Sequence, residues 1–237
     1  MSSQHVVIIG GSSGIGLATA RQLLGSGMQV TIIGRSEHRL AEARQSLGGG
    51  TCVVLDAAAT DKLAETFSRI GGFDHLVLAF GSGKGLGPFA SISLSEVREG
   101  FEEKVYPQFA AAQAALPFLP KDGSITFISS VSAHAAMPGT AGISAANAAV
   151  ASLVPILAAE LRPLRVNSVS PGVIDTPWWD FLPPEQRKGV FAEYAGKTPV
   201  GRVGKPEDVA QAITFVIKNG FMSGHNILCD GGLRWAS

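Results

Sequence analysis

Residues 5–16 read HVVIIGGSSGIG, and the fold is decided there. HVVII (5–9) is a short apolar run of the kind that forms a strand buried on both faces. It runs directly into GGSSGIG (10–16), after which LATARQLLGSG has a helical pattern. A tight strand-to-helix turn needs backbone torsions that a side chain resists, which explains glycine at this point. A phosphate comes close to a backbone only where no Cβ intervenes, and a helix N-terminus offers it free N–H groups and a partial positive charge. Gly10, Ser12, Ser13, Gly14, Ile15 and Gly16 therefore form a candidate dinucleotide phosphate site. The turn's place between the first strand and first helix of a βαβ unit supports this over a plain tight turn.

Outward from this stretch, apolar runs and helical patterns alternate. QVTII (29–33), TCVVL (51–55), DHLVLAF (74–80), SITFI (124–128), RVNSVS (165–170) and HNILCD (225–230) read as strands, and the segments between them as helices. One long helix is expected over 93–119 and another over the GISAAN region to about residue 161. The alternation predicts an α/β fold: one Rossmann-like, doubly wound parallel sheet of about seven strands with helices on both faces. No break in composition suggests a second domain, so residues 1–237 are expected to form one unit.

Composition excludes several classes of function. Nineteen basic and nineteen acidic residues cancel, so no basic face favours nucleic acid or an anionic membrane. Cys52 and Cys229 each lie in a β-like run, which suggests buried free thiols rather than a disulfide or a metal site. The N-terminal MSSQHVVII lacks the pattern of a signal peptide, and no window reaches the ~18 uninterrupted apolar residues of a membrane span. The chain reads as soluble and cytoplasmic, with a small-molecule substrate.

The second strand ends TIIGRSEH. An acidic residue at this place accepts hydrogen bonds from the ribose hydroxyls of NAD. Here Gly34 is followed by Arg35 and Ser36. A guanidinium clamps a 2′-phosphate that a carboxylate would repel, so NADP(H) is the expected cofactor. The alternative for Arg35 is a solvated surface arginine.

With SITFISSVSA (124–133), RVNSVSPGVIDTP (165–177), GRVGKPEDVA (201–210) and SGHNILCDGG (223–232), the glycine turn makes the chain resemble the short-chain dehydrogenase/reductase family over nearly its whole length. The resemblance implies that Asp56 and Ala57 line an adenine pocket. It also implies that Ala79 and Gly81 border the cofactor, and that Pro171, Gly172, Val173, Ile174 and Thr176 hold the nicotinamide end. It implies a homodimer or homotetramer, and a substrate-covering lid around 175–200 in which Trp178, Trp179 and Phe181 favour an apolar substrate.

The family's chemistry uses Asn, Ser, Tyr and Lys. Ser130 matches the serine, which polarises a carbonyl. Where the tyrosine is expected stands Ile143, and where the lysine should follow stands Asn147. The family asparagine aligns with Lys104, so lysine and asparagine have changed places between 104 and 147. In this reading the Lys104 ammonium reaches back toward Asn147 and restores charge beside the cofactor. The alternative is a lysine exposed on a helix face. The family's NNAG is replaced by LAFG (78–81), where Phe80 adds bulk beside the cofactor cleft. Neither Tyr106 nor Tyr194 is an obvious substitute for the missing phenol, and a proton would come from water, Ser130 or His134. Pro155 is expected to remove a hydrogen bond from its helix and bend it. Two functions follow: an atypical NADP(H)-dependent oxidoreductase acting on a small apolar carbonyl, alcohol or imine, or an NADP(H)-binding sensor or scaffold without turnover.

Overall fold

A computed structural model describes residues 3–235. Seven parallel strands form one sheet: β1 (His5–Ile9), β2 (Gln29–Gly34), β3 (Thr51–Val54), β4 (His75–Leu78), β5 (Ser124–Ile128), β6 (Arg165–Pro171) and β7 (Asn226–Cys229), in the order β3-β2-β1-β4-β5-β6-β7. Successive side chains of a strand point to opposite faces. Val7 and Ile9 of β1 pack into one core, whereas Val6 and Ile8 pack into the other, and all four are at most 2% exposed. Each such fully buried aliphatic side chain stabilises the fold by roughly 1.5–3 kcal/mol.

Helices α1 (Gly14–Gly25), α2 (Glu37–Leu47) and α8 (Pro206–Lys218) cover one face. On the other face lie α3 (Leu63–Ile70), α4 (Leu94–Gly100), α5 (Tyr106–Ala115) and α6 (Ala141–Glu160). The strand order reverses between β1 and β4, and the crevice at the carboxyl ends there is where such sheets bind ligands. β4 stops at Leu78, so Ala79 and Phe80 are loop residues over that crevice rather than the strand end the apolar run suggested, and Gly81 follows them.

The long helix expected over 93–119 is interrupted. Between α4 and α5, Phe101–Val105 form a π-helical turn. Pro107 supplies the reason: its ring would clash with the carbonyl four residues back, that of Glu103, and it has no N–H to donate. A π turn widens the spiral at that place, and such bulges recur at functional sites.

Helix α6 runs unbroken through Pro155. The carbonyl deprived of a donor by Pro155 is that of Ala151, and Asn226 Nδ2 of β7 donates to it at 3.2 Å. By length and composition α6 would suffice to cross a membrane. Here Val150 and Val154 are fully buried against the sheet. A last helix, α7 (Pro184–Lys197), stands over the carboxyl ends of the strands.

Candidate active site

The carboxyl ends of the strands enclose a cleft of about 1130 Å³. Sites for drug-sized ligands span ~300–1,000 Å³, so this cleft has room for an extended cofactor with a small molecule beside it. At one end the glycine turn forms its floor. Gly10 has φ +84°, and a Cβ there would lie 2.4 Å from the Ala79 carbonyl oxygen. Ser12, Ser13, Gly14 and Ile15 all line the cleft. A Cβ on Gly14 would meet the Thr176 side chain at 3.3 Å, which places the turn opposite the loop after β6. Gly16 departs from its expected place in the phosphate set, since it is not among the residues lining the cleft. A Cβ there would come within 2.1 Å of the Gly10 carbonyl oxygen, so this glycine allows α1 to pack onto the turn instead.

Arg35 is exposed and lines the cleft at the end of β2, without an acidic partner among the described residues. Ser36 caps α2 by accepting the Arg39 N–H at 3.3 Å. That cap brings Arg39, one helical turn from Arg35, to the same wall. The pattern at 34–36 does not single out Arg39, although its position three residues after the cap serine is a signal for it. Asp56 and Ala57 line the wall beyond, where Asp56 Oδ1 accepts the Ala58 N–H at 3.0 Å. Backbone glycines, helix N–H groups and two guanidinium groups without partners among the described residues suit a phosphorylated dinucleotide.

Opposite, Ala79, Gly81, Pro171, Gly172, Val173, Ile174 and Thr176 line the other end together with Ser130, Ile143, Asn147 and Lys104. Ser130 is half-buried at the start of a single 3₁₀ turn, and its Oγ accepts the Ser132 N–H at 3.3 Å. Its hydroxyl proton remains available to a carbonyl oxygen. Ile143 and Asn147 lie one turn apart on α6. Asn147 Nδ2 donates to Ser132 Oγ (3.2 Å) and to the Ile143 carbonyl (2.9 Å). Asn147 Oδ1 is buried without a hydrogen-bond partner among the described residues.

Lys104 is only 6% exposed, so it is not the solvated helix-face lysine that the sequence left open. The π turn points it inward. Its Nζ donates to the Ser129 carbonyl at 3.3 Å, and Ser129 Oγ donates to the Asn147 carbonyl at 2.9 Å. Lys104 thus approaches Asn147 across Ser129. A Cβ on Gly81 would lie 3.2 Å from Lys104 Nζ, so the glycine makes room for the ammonium. Burial pushes the Lys104 pKa down to about 7. Gln108, one turn further on, donates to the carbonyls of Phe80 (2.7 Å) and Ile128 (3.3 Å). Its Oε1, like Asn147 Oδ1, has no partner among the described residues.

His134 does not line the cleft; its Nε2 lies 3.3 Å from Ser170 Oγ. Burial, with a smaller contribution from Arg234, lowers its pKa. Tyr106 is 58% exposed and away from the cleft. Tyr194 does line it, packed with Trp179 and Phe191 against Val131, Val173 and Leu233. The segment after β6 is aromatic. Trp178, Trp179 and Phe181 cluster with ring centroids 4.7–6.1 Å apart, and all three line the cleft. Arg187 ties α7 to this segment through Asp175, Asp180 Oδ1 (2.9 Å) and the Thr176 carbonyl (3.3 Å).

A glycine turn at the switch point of a doubly wound parallel sheet defines a dinucleotide-binding protein. A family model described as enoyl-(acyl carrier protein) reductase matches residues 10–234. The short-chain dehydrogenase/reductase ATR9 of Stachybotrys chlorohalonatus is 30% identical over 97% of this chain and 96% of its own length. The 3-oxoacyl-[acyl-carrier-protein] reductase FabG of Thermotoga maritima is 37% identical over 131 residues, 53% of this chain and 52% of that protein, so this match spans about half the length of the relative. Among solved structures, a small-chain dehydrogenase in complex with NADPH superposes with a TM-score of 0.87 and 29% identity, covering 99% of this chain and 100% of that one. A short-chain dehydrogenase/reductase from Brucella melitensis gives a TM-score of 0.88 at 30% identity, covering 97% of this chain and 96% of that one. The chain belongs to the short-chain dehydrogenase/reductase family and is an oxidoreductase of that type, a family that binds a nicotinamide cofactor.

Proposed function

We propose that the protein is an NADP(H)-dependent oxidoreductase for a small, apolar carbonyl, alcohol or imine, working with Ile143 and Asn147 where its family carries tyrosine and lysine. The observation that carries this reading is one continuous cleft. Arg35 and Arg39 flank the glycine turn at one end, and Ser130 stands under an aromatic lid at the other. Bound cofactor supplies hydride; the protein orients it and sets the charge around it. Ser130 donates a hydrogen bond to the substrate oxygen. Trp178, Trp179 and Phe181 contact the substrate's apolar body and exclude water. Ile143 has no proton to give, so an electrophilic substrate such as an iminium, which needs hydride and no proton at the same atom, suits the site best. The apolar side chains exposed on α5 and α6, Tyr106, Phe109 and Ile156, support a homodimer or homotetramer.

NADPH titration followed by a panel of reactive carbonyls and cyclic imines tests the reading. Micromolar NADPH binding, with oxidation by at least one member of the panel that falls in Ser130→Ala, is expected. Failure to bind NADPH would refute the reading outright. The aliphatic Ile143 in the phenol's place favours a second reading, an NADP(H)-responsive binding protein, and tight NADPH binding with no turnover of any substrate would select it.

A further inference from the structure

We propose that Lys104 is the acid–base residue of this site, giving its proton to the substrate oxygen in reduction and taking it back in oxidation. The inference rests on the oxidoreductase reading above and supplies the proton that Ile143 cannot. Lys104 lines the cleft beside Ser129, the neighbour of Ser130. Its ammonium carries three N–H donors. One is committed to the Ser129 carbonyl, and no other hydrogen bond of Nζ is present among the described residues. Two buried acceptors without hydrogen-bond partners among the described residues, Asn147 Oδ1 and Gln108 Oε1, lie on α6 and α5, and neither carries a charge.

The other candidates fit less well. His134 is outside the cleft, and Tyr194 packs in an apolar cluster on the lid side. The charged groups near Lys104 are few. Glu103 precedes it on the π turn, with its carboxylate accepting from Ser82 Oγ at 2.6 Å. The flanking residues of the β4 and β5 ends and of α6, namely Phe80, Gly81, Ser129 and Asn147, carry no charge. Burial is the cause that lowers Lys104 to about 7, and an acid of that strength is suited to proton transfer near neutrality.

The step balances. In reduction the carbonyl carbon receives hydride from the reduced nicotinamide and the oxygen receives the Nζ proton, leaving an alcohol, oxidised cofactor and a neutral amine that solvent reprotonates. Charge also couples the two transfers. With the cofactor bound, Lys104 would be beside a neutral ring in the reduced form and a cationic one in the oxidised form, and a like charge disfavours its protonated form. It therefore holds its proton before hydride moves and yields it afterwards.

Calorimetric titration of the full-length protein with NADPH and with NADP⁺ at pH 7, in phosphate and in Tris, reads this coupling without turnover. With a free pKa of about 7, Lys104 is about half protonated at that pH, so uptake is at most about half a proton per site. NADPH should take up a few tenths of a proton more than NADP⁺ in the wild type, and the difference should vanish in Lys104→Met. Lys104→Arg, which keeps the charge but does not titrate, should also lose the difference and still bind NADPH. With 9,10-phenanthrenequinone as the probe, kcat should fall above the Lys104 pKa as the ammonium is lost. That alkaline limb should disappear in Lys104→Met together with about 10²–10⁴-fold of the rate. Tyr194→Phe should keep both the proton difference and the alkaline limb. Equal proton counts in wild type and variants, an alkaline limb that survives Lys104→Met, or its loss in Tyr194→Phe would each overturn the proposal. Proton coupling without quinone turnover would overturn the transfer step and leave cofactor binding standing, whereas absence of NADPH binding would remove the underlying reading as well.

Discussion

At the β1–β3 end the cleft is lined by glycines, a helix N-terminus and two arginines. At the β4–α6 end the positions expected to handle a proton hold Ile143 and Asn147, and a lysine has arrived from the neighbouring helix. The first region depends on backbone torsions that cannot change without moving the sheet. The second depends on three or four side chains, which can be exchanged while every strand stays in place. In the proposed reading, a cofactor site survives substitutions that change the chemistry beside it.

The harshest way to break this contrast is to put a side chain into the turn. Gly10→Val would force φ +84° on a β-branched residue and drive its Cβ toward Ala79. The torsion alone costs about 1–3 kcal/mol, and NADPH binding should be lost by more than about 10²-fold, as read by fluorescence titration and thermal unfolding. Ser130→Ala should do the reverse and leave NADPH affinity within about twofold. It should lower kcat by about 10²–10³-fold, the usual cost of one hydrogen bond to a developing oxyanion; an equal loss in both would erase the distinction between the two ends. The pair Arg35→Gln and Arg39→Gln should weaken NADPH about 10–100-fold, in keeping with charged hydrogen bonds worth ~1.5–3 kcal/mol. NADH binding should hardly move, which competitive titration checks. The smallest expected effect sharpens the account of α6. Ile143→Tyr with Asn147→Lys should gain ketone reduction only modestly, because a second ammonium would enter the space that Lys104 already fills. Adding Lys104→Asn should raise the rate by a further ~10-fold, in line with relief of about 1.4 kcal/mol of repulsion.

Much of this was legible in the sequence. The apolar runs around GGSSGIG gave seven strands in the right places, because strands buried on both faces need continuous apolar residues. The glycine turn, Arg35 and the aromatic lid were likewise readable, since each is a local pattern. Other features depended on contacts between distant segments. Gly16 carries the same signature as its neighbours but serves helix packing, which only the Gly10 carbonyl reveals. Burial of Lys104 depends on how far a helix is rotated at Phe101–Val105, and periodicity over FEEKVYPQF assumes a regular spiral. The remedy for Pro155 lay 71 residues away, at Asn226.

The π turn ahead of Pro107 has one more consequence. It acts as a single-residue insertion in the spiral, and each residue of a regular helix turns the chain by about 100°. Deleting one residue from 101–105, with Pro107 replaced by alanine so that a regular spiral can close, would swing position 104 out of the cleft while keeping its lysine. What aims the ammonium is thus the local count of residues, so length variation in this short segment would rewire the site more thoroughly than most exchanges of side chains.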